Sequence, residues 1–412
     1  MLSAYISFGR NRTKAQKGMG VKLNLFTDCA YESLNKYGEE LCGDKVEFVK
    51  GNDFTLAVLA DGLGSGVKAN ILSTLTSKII ATMLANGSTL REAVETIAST
   101  LPVCSVRGIA YSTFTIMHVQ DNGNAYIAEF DNPNLVFMRD NQVLELDRQE
   151  LDIDGKKIYM TKMQMQPNDL MIAFSDGVVH AGVVCLLDLG WHYDNIVKYI
   201  KENIVYEMSP TEIARKILLA VNTLYMNKCG DDSTVCVLKI KKALPVTIMV
   251  GPPVHPEDDE TVVHKLMDAD GLKVVCGGTT SQIVSRVTGN PLDVSIDYYN
   301  PAVPPTAEIK GIDMVTEGVL TLGKAAEIIK NYLGASEEKW DTYSLNKKDG
   351  ATRLARIWLQ ECTSVNFLVG RALNPAHQNP DLPVNLSLKL NLIKEIVSIL
   401  QELGKRVTVE YF

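Results

Sequence analysis

The sequence lacks any uncharged apolar run of the roughly 18–20 residues that a bilayer-spanning helix requires. Its best apolar runs, such as 55–60 and 169–174, have only the length of a strand. An excess of positive charge is missing too, because 41 Lys and Arg residues face 49 Asp and Glu residues and the net charge is -8. We therefore expect no membrane span and no dedicated nucleic-acid-binding surface.

Closely spaced cysteines are also missing, since the eight cysteines are scattered and none forms a CxxC pair. This spacing argues against a zinc knuckle and favours reduced thiols in a cytoplasmic protein. Residues 1–20 carry basic side chains after a short apolar part, whereas a secretory signal has its charge before a longer apolar core. We interpret 1–20 as a flexible arm, or as an upstream start with Met19 the natural beginning.

The chain has 412 residues, which suggests two or three domains, and its 46% hydrophobic and 22% charged residues are typical of globular ones. Between 21 and 242, short β-rich runs surround stretches with helical spacing. The predicted strands are 45–49, 54–61, 113–119, 124–130, 135–139, 170–175 and 233–239, and the predicted helices are 67–86, 90–100, 193–202 and 210–227. This order favours an α+β sandwich flanked by helices.

From about 245 to 412 the pattern changes to a regular alternation of strand and helix. The predicted strands are 246–250, 273–276, 311–315, 365–369 and 406–411, and the predicted helices are 256–268, a helix from about 280, 322–333 and 386–403. Alternation of this kind predicts an α/β, Rossmann-like domain with a mainly parallel sheet. The proline-bearing segment 290–307 is interpreted as an irregular loop.

Four short acidic motifs mark the first domain, each where a strand ends or a turn begins. They are CGD at 42–44, ADGLGSG at 60–66, FSDGV at 174–178 and GDDST at 230–234. Asp-Gly is ordinary turn chemistry, so one such motif alone indicates only a turn. Several converging carboxylates, however, would repel one another unless a cation lay between them. Oxygen ligands with no nearby His or Cys favour Mg²⁺ or Mn²⁺.

Taken together, the motifs resemble the metal-dependent PP2C-type serine/threonine phosphatases, in particular their sporulation-protein-E-like (SpoIIE-like) bacterial branch. The resemblance covers roughly 23–240 and rests on CGD, ADGLGSGVKAN before a long helix, YSTFTIMHV, QPNDLMIAFSDGV and GDDSTVCVLKI. It implies a PP2C-like fold for 21–242. The family pattern places its ligand first in the last motif, so Asp232 is a weaker ligand candidate than Asp231.

The resemblance also implies roles for individual residues. Asp61 would bridge two metal ions, Mn²⁺ or Mg²⁺, and the backbone carbonyl of Gly62 would bind one of them. Asp176 and Asp231 would hold the other ion, and Asp44 would act through a bound water or as an additional ligand. In such a site a metal-bridging water attacks phosphorus in line, so no protein nucleophile is needed. The resemblance therefore implies structural roles for Ser65, Ser175 and the cysteines.

One departure from the family pattern concerns leaving-group protonation. Many eukaryotic members have a His directly after the Asp-Gly pair, whereas this chain has Leu63. Among the nearby histidines, His118 lies in an apolar strand, and His180 follows the third motif closely. The phosphate-binding Arg of eukaryotic members has no clear counterpart, and Lys36 and Lys45 are weak candidates.

The second domain has glycine-bearing loops at the predicted carboxyl ends of its strands, where open α/β sheets bind ligands. The candidate ligand residues are Gly277, Gly278, Thr279, Thr280, Glu317 and Arg371. The first four lead into a helix, so their amides and hydroxyls could hold an anion, and Arg371 could add a bidentate contact. Glycine turns and Thr capping are an equally ordinary explanation of these loops.

The sequence therefore predicts a cytoplasmic phosphatase that hydrolyses phosphoserine or phosphothreonine on a protein partner and is regulated or targeted by its second domain. The resemblance suggests a small signalling partner such as an anti-sigma-factor antagonist. Three alternatives remain open: an inactive phosphatase-like switch, a protein that is mainly a sensor of a small anionic ligand, and a phosphatase acting on a small molecule. The sequence leaves the oligomeric state open.

Overall fold

A computed structural model describes residues 25–51, 53–100, 112–183, 185–294, 305–334, 345, 347–372 and 385–412. It divides the chain into two compact units, Met1–Lys242 and Ala243–Phe412. The predicted arm at 1–20 lies outside the described residues. Within the described part of the chain, no helix combines the length and the apolar character needed to cross a bilayer.

The first unit is built mainly from strands. They are β1 (Leu25–Leu34), β2 (Asp44–Lys50), β3 (Phe54–Gly62), β4 (Ser112–Gln120), β5 (Asn124–Phe130), β6 (Val136–Arg139), β7 (Gln142–Leu144), β8 (Gln149–Ile153), β9 (Lys156–Gln164), β10 (Leu170–Phe174) and β11 (Ser233–Lys242). The helices are α1 (Gly66–Ala85), α2 (Leu90–Thr100), α3 (Asp176–Val179), α4 (Tyr193–Asn203) and α5 (Pro210–Leu224).

These strands form two antiparallel sheets that face each other. One sheet has the order β1-β11-β10-β6-β7 and the other β2-β3-β4-β5-β9-β8. Alternate residues of the strands fill the space between the sheets, among them Leu59, Met117 and Leu238. The opposite face of the second sheet packs against α1 and α2 through residues such as Val58 and Ile80. This confirms the predicted α+β sandwich flanked by helices.

The sequence analysis missed several strands of this unit, and β1 shows why. Its sequence, LFTDCAYESL, has no clean alternation of apolar and polar residues, because Thr27 and Asp28 are buried. Asp28 is tolerated there because it forms an ion pair with Lys241 of the neighbouring strand β11. Strand β1 is therefore specified by its partner strand, with which it pairs along its whole length.

The second unit is a seven-stranded sheet with helices on both faces. Its strands are β12 (Pro245–Val250), β13 (Leu272–Cys276), β14 (Leu292–Val294), β15 (Ala307–Ile309), β16 (Ile312–Thr316), β17 (Ser364–Val369) and β18 (Arg406–Tyr411). Its helices are α6 (Asp259–Met267), α7 (Gly278–Thr288), α8 (Val319–Leu333), α9 (Gly350–Arg356) and α10 (Asn385–Glu402). Short helical turns precede α6 at Pro256–Asp258 and follow α9 at Ile357–Glu361.

The strand order of this sheet is β14-β15-β16-β13-β12-β17-β18. Strands β16, β13, β12, β17 and β18 are parallel, and β14 and β15 add an antiparallel edge. The predicted mainly parallel sheet is confirmed. The interpretation of 290–307 as an irregular loop was wrong at its ends, which form β14 and β15; residues 295–304 lie outside the described part. A three-residue strand is too short to show a periodicity.

Candidate functional site

The acidic motifs lie at the ends of strand pairs. Strands β2 and β3 run antiparallel with Asp44 directly opposite Asp61. In the other sheet, Phe174 at the end of β10 lies opposite Val235, near the start of β11. Asp176 follows as the first residue of the short helix α3. Each sheet therefore carries acidic residues at one end of a pair of neighbouring strands.

Ser175 connects the ends of the two sheets. Its side chain is fully buried, and its hydroxyl donates to Oδ2 of Asp44 at 2.7 Å. The same Oγ accepts a hydrogen bond from the backbone amide of Thr234 at 2.9 Å. The Thr234 hydroxyl in turn bonds the Ser33 hydroxyl at 2.8 Å. Three of the four motifs, CGD, FSDGV and GDDST, are thus joined by one hydrogen-bonded chain.

Two glycines allow the loops around the site to approach closely. A Cβ at Gly177 would lie 2.0 Å from the carbonyl oxygen of Asp232, and the Tyr225 hydroxyl donates to the Gly177 carbonyl at 2.9 Å. A Cβ at Gly62 would lie 2.1 Å from the carbonyl oxygen of Ala69 in α1. Any larger residue at either position would push the acidic loops apart.

The carboxylates of the four motifs influence one another electrostatically. Burial and, after it, the neighbouring carboxylates of Asp44, Asp176 and Asp231 together raise the pKa of Asp61 to about 10. A hydrogen bond between the Asp61 and Asp176 carboxyl groups acts in the same direction. Burial likewise raises the pKa of Asp44 to about 7, and burial followed by the charge of Asp176 raises that of Asp231. The fold thus places the buried Asp44 and the partly exposed Asp61 and Asp231 beside the exposed carboxylate of Asp176.

The chemistry of the acidic loops suits a hard cation. Asp232 is 4% exposed; its Oδ1 accepts from the Lys36 amide at 3.0 Å, but its Oδ2 has no hydrogen-bond partner among the described residues. The atoms available as metal ligands are oxygens, which Mg²⁺ and Mn²⁺ prefer. In the described ranges, no group of three or more Asp, Glu, His or Cys side chains is placed so that it could hold a metal ion. Magnesium sites commonly use one or two carboxylates and several waters, so an open cluster is compatible with Mg²⁺.

The remaining candidates of the first unit lie at different distances from this cluster. His118 is stacked between Phe54 and Tyr126, with ring centroids at 5.1 and 4.9 Å, and burial lowers its pKa to about 4. It lies opposite Leu56, five residues along β3 from Asp61 or about 17 Å, so it is remote from the acidic cluster.

Lys36 lies beside the cluster. Its Nζ is 4.0 Å from Oδ1 of Asp231. His180 is exposed and directly follows α3, and Leu63 is 37% exposed. The sequence analysis took Asp231 as the stronger ligand candidate of two adjacent acids, and no local pattern indicated that Asp232 is the buried one.

In the second unit, the structure brings together only part of the predicted ligand site. Gly277 caps α7, whose first residues are Gly278, Thr279 and Thr280, and its amide donates to the carbonyl of Thr316 in β16 at 2.8 Å. Glu317 follows β16 directly and is exposed.

Arg371 lies elsewhere on the same edge of the sheet. It follows β17, which is separated from β13 by β12, and its guanidinium lies over the ring of Tyr411 in β18 at 6.0 Å. A single pocket shared by Glu317 and Arg371 therefore stays a prediction, and their contacts point to different neighbours.

Comparison with known proteins identifies the first unit. Residues 51–241 match the family model "Stage II sporulation protein E (SpoIIE)". The stage II sporulation protein E of Bacillus subtilis (strain 168) is 26% identical over 196 residues, which are 46% of this chain and 22% of that protein. The protein of the same name from Priestia megaterium is 26% identical over 219 residues, or 51% of this chain and 36% of that protein.

The chain is also similar to a solved structure of the phosphatase domain of SpoIIE from Bacillus subtilis. The match covers 53% of this chain and 94% of the chain in that structure, at 21% identity and a TM-score of 0.42. The family model confirms the resemblance predicted from the four motifs, because residues 51–241 of the first unit match the SpoIIE family. The chain therefore spans only 22% of the length of the Bacillus subtilis protein and 36% of the length of the Priestia megaterium protein.

Proposed function

We propose that the first unit is a metal-dependent protein phosphatase that hydrolyses phosphoserine or phosphothreonine on a protein partner. The observation that carries this proposal is the convergence of Asp44, Asp61, Asp176 and Asp231, where burial and, after it, the repulsion between carboxylates raise the pKa of Asp61 to about 10. A cluster of carboxyl groups with a raised pKa is suited to binding a divalent cation, because the cation stabilises their charged forms.

Asp61, Asp176 and Asp231 would hold Mn²⁺ or Mg²⁺, together with the Gly62 carbonyl and with Asp44 directly or through water. When bound, such ions supply positive charge at phosphoryl oxygens and lower the pKa of water. Ser175 and Thr234 orient Asp44 by hydrogen bonding to it. Lys36, at 4.0 Å from Asp231, adds the positive charge of an ammonium group at the rim of the cluster.

The attacking group in this proposal is water, because the neighbouring side chains are unsuited to the task. Cys42 adjoins the cluster, but burial followed by the charges of Asp44 and Asp232 raises the pKa of its thiol to about 12. The thiolate, which is the nucleophilic form, is therefore scarce at neutral pH. The Ser175 hydroxyl is buried and already donates to Asp44.

The proposal is tested by Asp61→Ala, assayed on a phosphopeptide and on an aryl phosphate with and without Mn²⁺. We expect activity to fall by about a thousandfold or more, because a carboxylate that would hold the metal ions is lost. Asp231→Asn should lose less, and high Mn²⁺ should restore part of its activity. Turnover of Asp61→Ala within a few-fold of wild type at saturating Mn²⁺ would contradict the metal assignment.

The same assay separates the alternatives. Faster turnover of the aryl phosphate than of phosphopeptides would favour a small-molecule phosphatase, and no turnover with any metal would favour a phosphatase-like switch. We further propose that the protein acts in the cytoplasm and that its second unit regulates or targets the first.

A further inference from the structure

Two neighbouring strands of the second unit send their helices to opposite faces of the sheet. Helix α7, after β13, packs in one core with α6, through Ile283 and Val284. Helix α8, after β16, packs in the other core with α9 and α10, through Leu322 and Ile329. Strands β13 and β16 are adjacent and parallel. Divergence of the connections at neighbouring strands opens a crevice at the carboxyl edge, which is where α/β sheets bind ligands.

Both helices begin at this divergence, and both are capped by glycine. Gly277 caps α7 with φ 120°, and Gly318 caps α8 with φ 94°. A Cβ on Gly318 would lie 3.1 Å from Cα of Gly277, so the two caps are in contact. The amino-terminal ends of the two helix dipoles, which carry partial positive charge, therefore lie side by side.

The first amides of these helices lack the partners that other helices of the chain have. In α5, Ser209 and Glu212 form a capping box, and in α9 the Asp349 side chain accepts from the Thr352 amide. Neither α7 nor α8 has a side-chain cap or an acidic residue in its first turn. Unpaired amides at a helix start need an acceptor.

Two buried hydroxyls give independent evidence of a binding site. Thr280 and Thr321 are each the third residue of their helix and are 1% and 0% exposed. Within the described ranges, neither Oγ1 has a hydrogen-bond partner. Oγ1 of Thr280 lies 3.0 Å from the point that a Cβ on Gly277 would occupy, so this hydroxyl lies against the cap. A buried hydroxyl without a partner is costly, and a bound acceptor would remove the cost.

We propose that the crevice between Gly277 and Gly318 binds the phosphate group of a small molecule. Two helix starts and two hydroxyls offer more donors than the two oxygens of a carboxylate can accept, whereas a phosphate presents three or four oxygens. Glu317 lies next to Gly318 and is exposed, which suits a ligand whose hydroxyl groups donate to a carboxylate. This site is independent of the acidic cluster in the first unit.

The test uses the full chain labelled with ¹⁵N-glycine, with EDTA present, and titrates inorganic phosphate while the amide resonances are observed by NMR. We expect saturable shifts of the Gly278 and Gly318 resonances. Gly278 is exposed, its φ is ordinary and nothing lies within 4 Å of a Cβ placed there, so a side chain is accommodated. Gly278→Glu should weaken phosphate binding by about tenfold or more through like-charge repulsion. Gly278→Ala, which adds the Cβ without the charge, should keep it.

A second variant, Thr280→Val with Thr321→Val, removes both hydroxyls at nearly constant volume. It should bind phosphate about tenfold more weakly and be at least as stable as wild type without phosphate, because no existing hydrogen bond is lost. Shifts confined to Gly62 and Gly64, or unchanged phosphate affinity in Gly278→Glu or in the double variant, would overturn the proposal. Equal affinity for acetate would overturn the assignment to phosphate.

Discussion

At the scale of single residues, the acidic cluster opposes folding in the absence of a cation. Asp61 is only partly exposed and Asp44 is 5% exposed, and both have a raised pKa because burial disfavours their charged forms. The most stable metal-free state is therefore one in which these carboxyl groups keep their protons. A site suited to a cation in this way lowers the stability of the metal-free protein.

This leads to a prediction about pH. A carboxyl group whose pKa is higher in the folded than in the unfolded chain stabilises the fold below its unfolded pKa, and that stability is lost as pH rises through the folded value. The values of about 7 for Asp44 and about 10 for Asp61 predict that metal-free stability falls steadily from about pH 5 to about pH 9.

Asp61→Asn should reduce this loss and raise the stability of the metal-free protein at about pH 9 by about 1–3 kcal/mol, while abolishing activity. Urea denaturation at several pH values in EDTA measures the effect. Asp154→Asn, in an exposed turn where φ is 55°, is the control and should change little. A pH profile of Asp61→Asn that coincides with wild type would show that Asp61 ionises normally.

At the scale of elements, the site depends on how closely two loops approach. Helix α3 and the turn before β11 touch at Gly177, where a Cβ would lie 2.0 Å from the Asp232 carbonyl oxygen. Because that atom belongs to the backbone, the clash is relieved only by moving a loop that carries an acidic residue.

We therefore expect Gly177→Ala to lower stability by about 1–3 kcal/mol and to reduce phosphatase activity. Gly323→Ala is a matched control with the opposite expectation. Gly323 lies within α8, and the nearest atom to its Cβ position, in Leu392, is 3.8 Å away. Alanine should stabilise that helix by about 0.5–1 kcal/mol without changing activity. Thermal denaturation measures the stability of both variants, and an aryl phosphate assay measures their activity. Wild-type stability and activity in Gly177→Ala would contradict the close approach of the two loops.

At the scale of the whole molecule, each unit has its own cores. Among the described residues, the first has a core between its sheets and another beneath α1 and α2, and the second has a core on each face of its parallel sheet. Units with separate cores unfold as separate cooperative transitions when the contacts between them are weak.

Calorimetry of the full chain should then show two transitions, and Mn²⁺ should raise the temperature of only one of them. A ligand that binds only the folded form stabilises the unit that holds it, by about 2.7 kcal/mol at a hundredfold excess over its dissociation constant. Asp61→Asn should abolish the Mn²⁺ effect on that transition. A single transition that Mn²⁺ shifts as a whole would show that the two units unfold together.

The sequence by itself determined much of this architecture. Most strands of the sandwich and the parallel core of the second sheet were predicted, because apolar runs bounded by Gly, Asn and Asp are local signals. The order of the four acidic motifs was enough to predict the family, since each motif is contiguous in the chain. The roles of Asp61, Asp176 and Asp231 as metal ligands stay predictions from that resemblance.

Only the tertiary structure decided which groups meet. Strand β1 is recognisable only from its pairing with β11. Its buried Asp28 interrupts the apolar pattern of the strand and is tolerated because it forms an ion pair with Lys241. The link from Ser175 to Asp44 spans 131 positions, and no local pattern encodes it. The contact between Gly277 and Gly318, and the separation of Arg371 from both, follow from strand order. Strand order is a property of the assembled sheet, so the spacing of residues in the sequence could not predict it.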